Sequence, residues 1–192
     1  VINNMHLLIQ EGFNVKLNAV LIKGFNDNEI IDFINLSRDL PISVRFIEFM
    51  PFDGNKWNKG KMVSYAEVME KVNASFDSSK VIRLQDAPND TSKNYKIEGY
   101  KGSFAIISSV TNPFCDSCNR IRLTANGRLK NCLFSATESD LLTPLREGKD
   151  ITPMIQKAVQ SKFKVRGGMD TLKKLETPDL HGKNRSMITI GG

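Results

Sequence analysis

Val15-Lys-Leu-Asn-Ala-Val-Leu-Ile22 and Ile42-Ser-Val-Arg-Phe-Ile-Glu-Phe-Met50 are two runs rich in β-branched and aromatic residues, and each reads as a strand. Between them Gly24-Phe-Asn-Asp27 makes a turn in which Asn26 or Asp27 can cap a helix, with Glu29 close behind. Ile30, Ile31, Phe33, Ile34 and Leu36 then recur at helical spacing until Pro41 breaks the pattern. Pro51 closes the second run. Strand, helix and strand at this spacing demand a parallel βαβ unit, because only a crossover connection joins parallel neighbours.

Working outward, Ile2, Met5, Leu8 and Ile9 form a helical stripe stopped at Gly12. The stripe opens directly on Val1, which leads us to expect that the chain begins inside a larger protein. Downstream, Ser64 with Glu67 three residues on is a capping box for a helix over 64–72. The first 75 residues therefore resemble part of an α/β barrel. From Phe76 the character changes, and the polar stretch Gln85 to Lys96 reads as a long surface loop. Tyr95–Ile97 and Ser103–Ser108 are expected to join a hairpin, Ile121–Ala125 and Leu129–Leu133 turned at Asn126-Gly127, in a small antiparallel sheet. Helices are expected at Ser139–Arg146 and Thr152–Lys164, followed by an irregular tail that ends in Gly191-Gly192. The fold class expected is thus α/β over residues 1–75, with an α+β module over 76–192.

Composition narrows the class. The 192 residues are 40% hydrophobic and 25% charged, enough to bury a core. No apolar run approaches a membrane span, and no basic segment followed by a hydrophobic one opens the chain, so a reducing, cytosol-like setting and no membrane partner are expected. A net charge of +6 suits anionic partners, but the cations are dispersed and few aromatics interleave with them. That pattern suits a phosphorylated small molecule better than bulk nucleic acid.

All three cysteines fall in one segment, Cys115-x-x-Cys118 and then Cys132 across the hairpin. The short Cys-x-x-Cys turn points two sulfurs at one centre. A structural zinc would need His6 or His181 as a fourth ligand, and neither has a usual spacing. A disulfide would orphan one thiol and needs an oxidising compartment. Buried core cysteines are the plain alternative, against which the clustering and adjoining turns argue. An iron–sulfur cluster held by three cysteines would leave one iron open to a substrate nitrogen or oxygen, and this reading has a chemical purpose. A zinc-stabilised nucleic-acid-binding module is the rival from another class.

Cations and the tail complete the candidates. Arg120 and Arg122, two apart on a strand behind Cys118, would emerge on one face as a guanidinium pair suited to phosphate. Lys16 is either a strand-end lysine reaching water or a phosphate or ribose contact. Arg45 alternates out of phase with Glu48 and Met50; Met50 is most simply core, and Arg45 a surface or salt-bridged residue. Gly191 and Gly192 could thread a crowded cavity, since neither carries a side chain.

The segment from Phe114 to Phe134, with Val44-Arg-Phe-Ile-Glu-Phe-Met-Pro51 before it and Gly191-Gly192 at the end, closely resembles the GTP 3′,8-cyclase family of molybdenum cofactor biosynthesis, lyases among the radical S-adenosylmethionine (SAM) enzymes. The resemblance covers essentially the whole chain. It implies a partial TIM-like radical SAM barrel in residues 1–75 and an iron–sulfur and GTP-binding module in 76–192. It further implies a [4Fe-4S] cluster on Cys115, Cys118 and Cys132 whose open iron meets guanine, and GTP contacts from Lys16, Arg120, Ile121 and Arg122. Met50 and Arg45 would lie at the SAM site, and Gly191 and Gly192 would reach the active site with Arg120 and Arg122. The family's Cys-x-x-x-Cys-x-x-Cys motif, which holds the SAM-cleaving cluster, is absent. The chain therefore looks like a C-terminal portion, incomplete and inactive alone, of an enzyme that converts GTP to 3′,8-cyclo-7,8-dihydroguanosine 5′-triphosphate. The resemblance also implies a downstream cyclic pyranopterin monophosphate synthase, leaves room for a homodimer, and places the protein in the cytoplasm, or in the mitochondrial matrix of a eukaryote.

Overall fold

A five-stranded mixed sheet organises the first part of the chain. The computed structural model describes residues 1–177, 180 and 184–187. They form two compact units, one of Val1–Met50 with Gly60–Phe114 and one of Pro51–Lys59 with the described residues from Cys115 onward.

In the first unit α1 (Ile2–Gln10) leads into β1 (Lys16–Leu21), α2 (Ile30–Asp39), β2 (Ser43–Glu48), α3 (Tyr65–Ser75), β3 (Val81–Arg83), β4 (Lys93–Ile97) and β5 (Ser103–Ile107). The sheet order is β1-β2-β5-β4-β3. β1 pairs parallel with β2 through Lys16↔Ser43 and Asn18↔Arg45, and β2 pairs parallel with β5 through Arg45↔Ala105. β4 and β3 then run antiparallel. The expected βαβ unit is present, as is the capping box of α3: the Ser64 hydroxyl accepts from the Glu67 N–H while Glu67 accepts from the Ser64 N–H.

The strands expected beside the hairpin instead continue the sheet of β1 and β2. Phe104, Ala105 and Ile106 are all buried, the pattern of a central strand covered on both faces rather than an alternating antiparallel one. The polar loop is correspondingly shorter, since β4 begins at Lys93. Asn26 and Asp27 do not cap α2. The Asn26 carboxamide accepts from Ile22 N and donates to Val20 O, and Asp27 accepts from Gly24 N, so both side chains are spent closing the turn. The helix starts at Ile30 without a side-chain cap.

One face of the sheet carries the core. Leu21, Val44, Phe46, Phe104 and Ile106 pack with Ile30 and Ile34 of α2 and Val68 and Val72 of α3. Close approach here requires glycine at 102: an added Cβ would collide with the Ile42 carbonyl and sit 2.7 Å from that of Leu40. On the opposite face Lys16, Asn18 and Val20 of β1 are exposed and Ser43, Arg45 and Ile47 of β2 half-buried, while Ala105 of β5 is buried.

The second unit holds β6 (Arg122–Leu123), β7 (Arg128–Lys130) and β8 (Ser139–Asp140) in a three-stranded antiparallel sheet, then α4 (Leu142–Arg146), α5 (Thr152–Gln160) and α6 (Leu172–Leu175). The hairpin turn is as expected. Gly127 has φ +70°, and a Cβ there would collide with Leu142. Ser139 and Asp140, expected to begin a helix, pair with β7, and Asp140 then accepts from Leu142 N and Thr143 N, starting α4 later. The expected helix to Lys164 stops at Gln160. The Ala158 carbonyl receives the Ser161 hydroxyl and the Asn131 amide, which releases the chain after one more residue.

Candidate functional site: a cysteine hairpin flanked by cations

Cys115 opens a 3₁₀ turn, Cys115–Ser117, and the Cys118 N–H donates to the Cys115 carbonyl at 3.2 Å, folding the Cys-x-x-Cys segment back on itself. Cys132 follows β7 in a tight loop in which Ser135 N donates to Cys132 O. This loop is held from within and from the far end of the chain. The Lys130 ammonium, 1% exposed, donates to the Ser135 carbonyl and to Asn184 Oδ1 at 2.7 Å, while Asn184 Nδ2 donates to Leu133 O at 3.1 Å. Arg185 in turn pairs with Glu138 and reaches Asn126 at the hairpin turn.

All three thiols are free and half-buried. Burial pushes the Cys132 thiol above its ordinary value, and the charges of Cys115 and Cys118 push the same way. Burial opposes ionisation of Cys118 too, but the Arg120 backbone N–H and the Lys162 ammonium outweigh it and leave that thiol below its ordinary value. Two sulfurs receive N–H donors directly: Lys162 Nζ lies 3.4 Å from Cys118 Sγ, and Arg166 N lies 3.4 Å from Cys115 Sγ. Among the described residues, no three His, Cys, Asp or Glu side chains close into a metal-ligating set.

The arginines differ from expectation in detail. Only Arg122 lies on β6; Arg120 precedes the strand and is exposed, as is Ile121 between them. The Arg120 carbonyl accepts from Lys162 Nζ at 3.0 Å instead of joining the ladder, which shortens the strand. In the first unit Lys16 and Arg45 share the open face of the sheet by register. Arg45 Nε is buried with no hydrogen-bond partner among the described residues. Met50 lies beyond the end of β2 and is half-buried, and His6 is exposed on α1. Gly191, Gly192 and His181 lie outside the described residues.

Sequence reading missed Lys130, Lys162, Arg166, Asn184 and Glu48. Glu48 is 2% exposed at the end of β2 and accepts from Val110 N at 2.7 Å, Thr111 N at 2.9 Å and Tyr65 N at 3.2 Å, besides the Thr111 hydroxyl. No local pattern marks these residues: most of their partners lie far away in sequence, and the nearer ones, carbonyls of Ser135, Met169 and Asp170, are backbone groups that any residue carries.

The fold and site define an α/β protein with a parallel βαβ sheet in one unit and, in the other, three cysteines about an antiparallel hairpin with the Lys162 ammonium at Cys118. Residues 42–166 match the family model described as Molybdenum Cofactor Synthesis C, and the chain belongs to that family. It is 48% identical over 196 residues to a GTP 3′,8-cyclase, mitochondrial, of Arabidopsis thaliana, an alignment spanning 100% of this chain and 48% of that protein. It is 40% identical over 194 residues to molybdenum cofactor biosynthesis protein 1 of Homo sapiens, spanning 99% and 29%. With a GTP 3′,8-cyclase of Listeria welshimeri it shares 40% over 153 residues, spanning 78% and 45%. The chain thus spans under half the length of each of these relatives.

Proposed function

We propose that this chain is the substrate-side portion of a radical SAM GTP 3′,8-cyclase, a lyase converting GTP to 3′,8-cyclo-7,8-dihydroguanosine 5′-triphosphate in molybdenum cofactor biosynthesis. The observation that carries the reading is the cysteine hairpin: a Cys-x-x-Cys turn folded back on itself, a third cysteine in the loop after β7, and N–H donors on two of the sulfurs. Thiols alone, partly exposed and supported by N–H···S contacts, fit a [4Fe-4S] cluster. When bound, that cluster supplies an iron without a protein ligand, open to a nitrogen or oxygen of guanine.

The protein groups have their own tasks. Arg120 and Arg122 follow Cys118 within the cysteine segment and bind phosphate oxygens, for which guanidinium geometry is suited. Ile121 lies between them. On the open sheet face, Lys16 contributes to GTP binding and Arg45 to the SAM site together with Met50; the unpartnered, buried Arg45 Nε supports an anionic ligand there. Three parallel strands with helices on one face and Lys16 and Arg45 on the other support membership in a radical SAM barrel, whose interior that second face would line. Gly191 and Gly192 are assigned to the active site on resemblance alone. A SAM-cleaving cluster would belong to a part of the enzyme with further cysteines, and this chain by itself would be inactive. A cyclic pyranopterin monophosphate synthase would act downstream, in the cytosol or mitochondrial matrix, and the enzyme could work as a homodimer. No described helix is long and apolar enough to cross a membrane.

Anaerobic reconstitution with iron and sulfide, followed by metal analysis and GTP titration, tests this reading. We expect a [4Fe-4S] signal lost in Cys115→Ala, Cys118→Ala and Cys132→Ala, and GTP binding weakened by about 1–3 kcal/mol in Arg120→Ala and in Arg122→Ala. Zinc in place of iron, or GTP titrations unchanged in both arginine variants, would sink it.

A further inference from the structure

Resting on the cluster reading above, we infer that Lys162 is the positioning and charge-tuning residue of the three-cysteine site. Its ammonium has three N–H donors, and it meets three acceptors in one short stretch: Cys118 O at 3.0 Å, Arg120 O at 3.0 Å and Cys118 Sγ at 3.4 Å. A lysine placed only for solubility keeps its head in water. This one is half-buried and turned back across 42 residues of sequence onto the segment between a thiol and an arginine. It gets there because α5 stops at Gln160, its last turn closed by the Ser161 hydroxyl and Asn131 amide on the Ala158 carbonyl.

Two consequences follow from the contacts. By occupying the carbonyls of Cys118 and Arg120, Lys162 fixes the backbone from which the Cys118 sulfur and the Arg120 guanidinium project. By placing a positive charge against one ligating sulfur, it favours whichever cluster state carries more negative charge, and so raises the reduction potential. Arg166 N supports the other half of the Cys-x-x-Cys pair from a backbone amide, which side-chain substitution leaves in place. Lys162 is therefore the variable donor of the site. Groups supporting metal ligands from outside the first coordination sphere are worth roughly 10–100-fold in metal affinity.

The experiment compares wild type with Lys162→Met, which keeps length without charge, and Lys162→Arg, which keeps the charge, after anaerobic reconstitution of the chain. Iron release to a chelator and the reduction midpoint, followed by electron paramagnetic resonance, are read for each. Lys162→Met is expected to release iron about 10–100-fold faster and to show a midpoint more negative than wild type, with Lys162→Arg restoring most of both. Should Lys162→Met be unfolded by circular dichroism, Lys162→Gln, which keeps a neutral donor, carries the same expectation for the midpoint. Wild-type midpoint and iron retention in the charge-removing variant overturn the lysine assignment alone. A wild-type chain that takes up no iron overturns the cluster reading on which it rests.

Discussion

Glu48 shows how much a single side chain can organise. Its carboxylate terminates β2, accepts two backbone N–H groups from Val110 and Thr111, and sits at the first N–H of α3 through Tyr65, where a negative charge complements the helix dipole. Truncation would leave those buried donors unmatched. Glu48→Ala should therefore lower unfolding free energy by about 2–3 kcal/mol in urea titrations, and a loss below about 1 kcal/mol would show that water replaces the carboxylate. At this scale the cysteines were legible in sequence and their supports were not. Three cysteines in one segment of a chain without others is a local signal. Glu48, Lys130, Lys162 and Asn184 look like ordinary polar residues until distant segments supply their partners.

Elements followed sequence wherever their determinants were local. The capping box of α3 is one case: Ser64 and Glu67 satisfy each other's backbone N–H groups, and the helix begins where they dictate. Ser64→Ala is expected to cost about 1 kcal/mol in thermal or chemical unfolding, with Ser64→Asp retaining most of the stability; equal losses in both would argue that the hydroxyl does not cap. Glycine at the Asn126-Gly127 turn is another, since only a positive φ closes that hairpin. Ends decided by side chains from elsewhere were misjudged. α5 stops early because Asn131 shares its terminal carbonyl, and β6 starts late because Lys162 holds the Arg120 carbonyl. Sheet membership of β4 and β5 failed for the same reason: period and length locate a strand, but its neighbours are chosen by packing.

For the molecule as a whole, acid sensitivity concentrates in the first unit. Hydrogen bonding from Lys23, joined by the Ser64 N–H and hydroxyl, lowers the Glu67 carboxyl from 4.5 to about 2. Arg83 lowers Asp86 from 3.8 to about 2 against the opposing effect of burial. Folded values below unfolded ones mean that both groups stabilise the fold above the ordinary carboxylate range and lose that contribution as pH falls toward about 2. Melting temperature should fall across about pH 5 to pH 2, and Glu67→Gln combined with Asp86→Asn should flatten the profile. Salt should weaken the effect, since Lys23 and Glu67 are both well exposed. A profile equally steep in the double variant would assign the acid response to other groups.

The sequence by itself determined the parallel βαβ unit, the turn chemistry, the cysteine cluster and, through the resemblance those residues carry, the family. Each depends on spacing along the chain or on the covalent nature of the residue, so each survives without a partner. Only the tertiary structure decided that β5 and β4 extend the first sheet, that Glu48 is a buried hub, and that Lys162 and Lys130 brace the cysteine loops. Those outcomes depend on which distant donors and acceptors remain unpaired when the core closes. A buried ammonium, carboxylate or carbonyl must be matched wherever its partner lies in sequence.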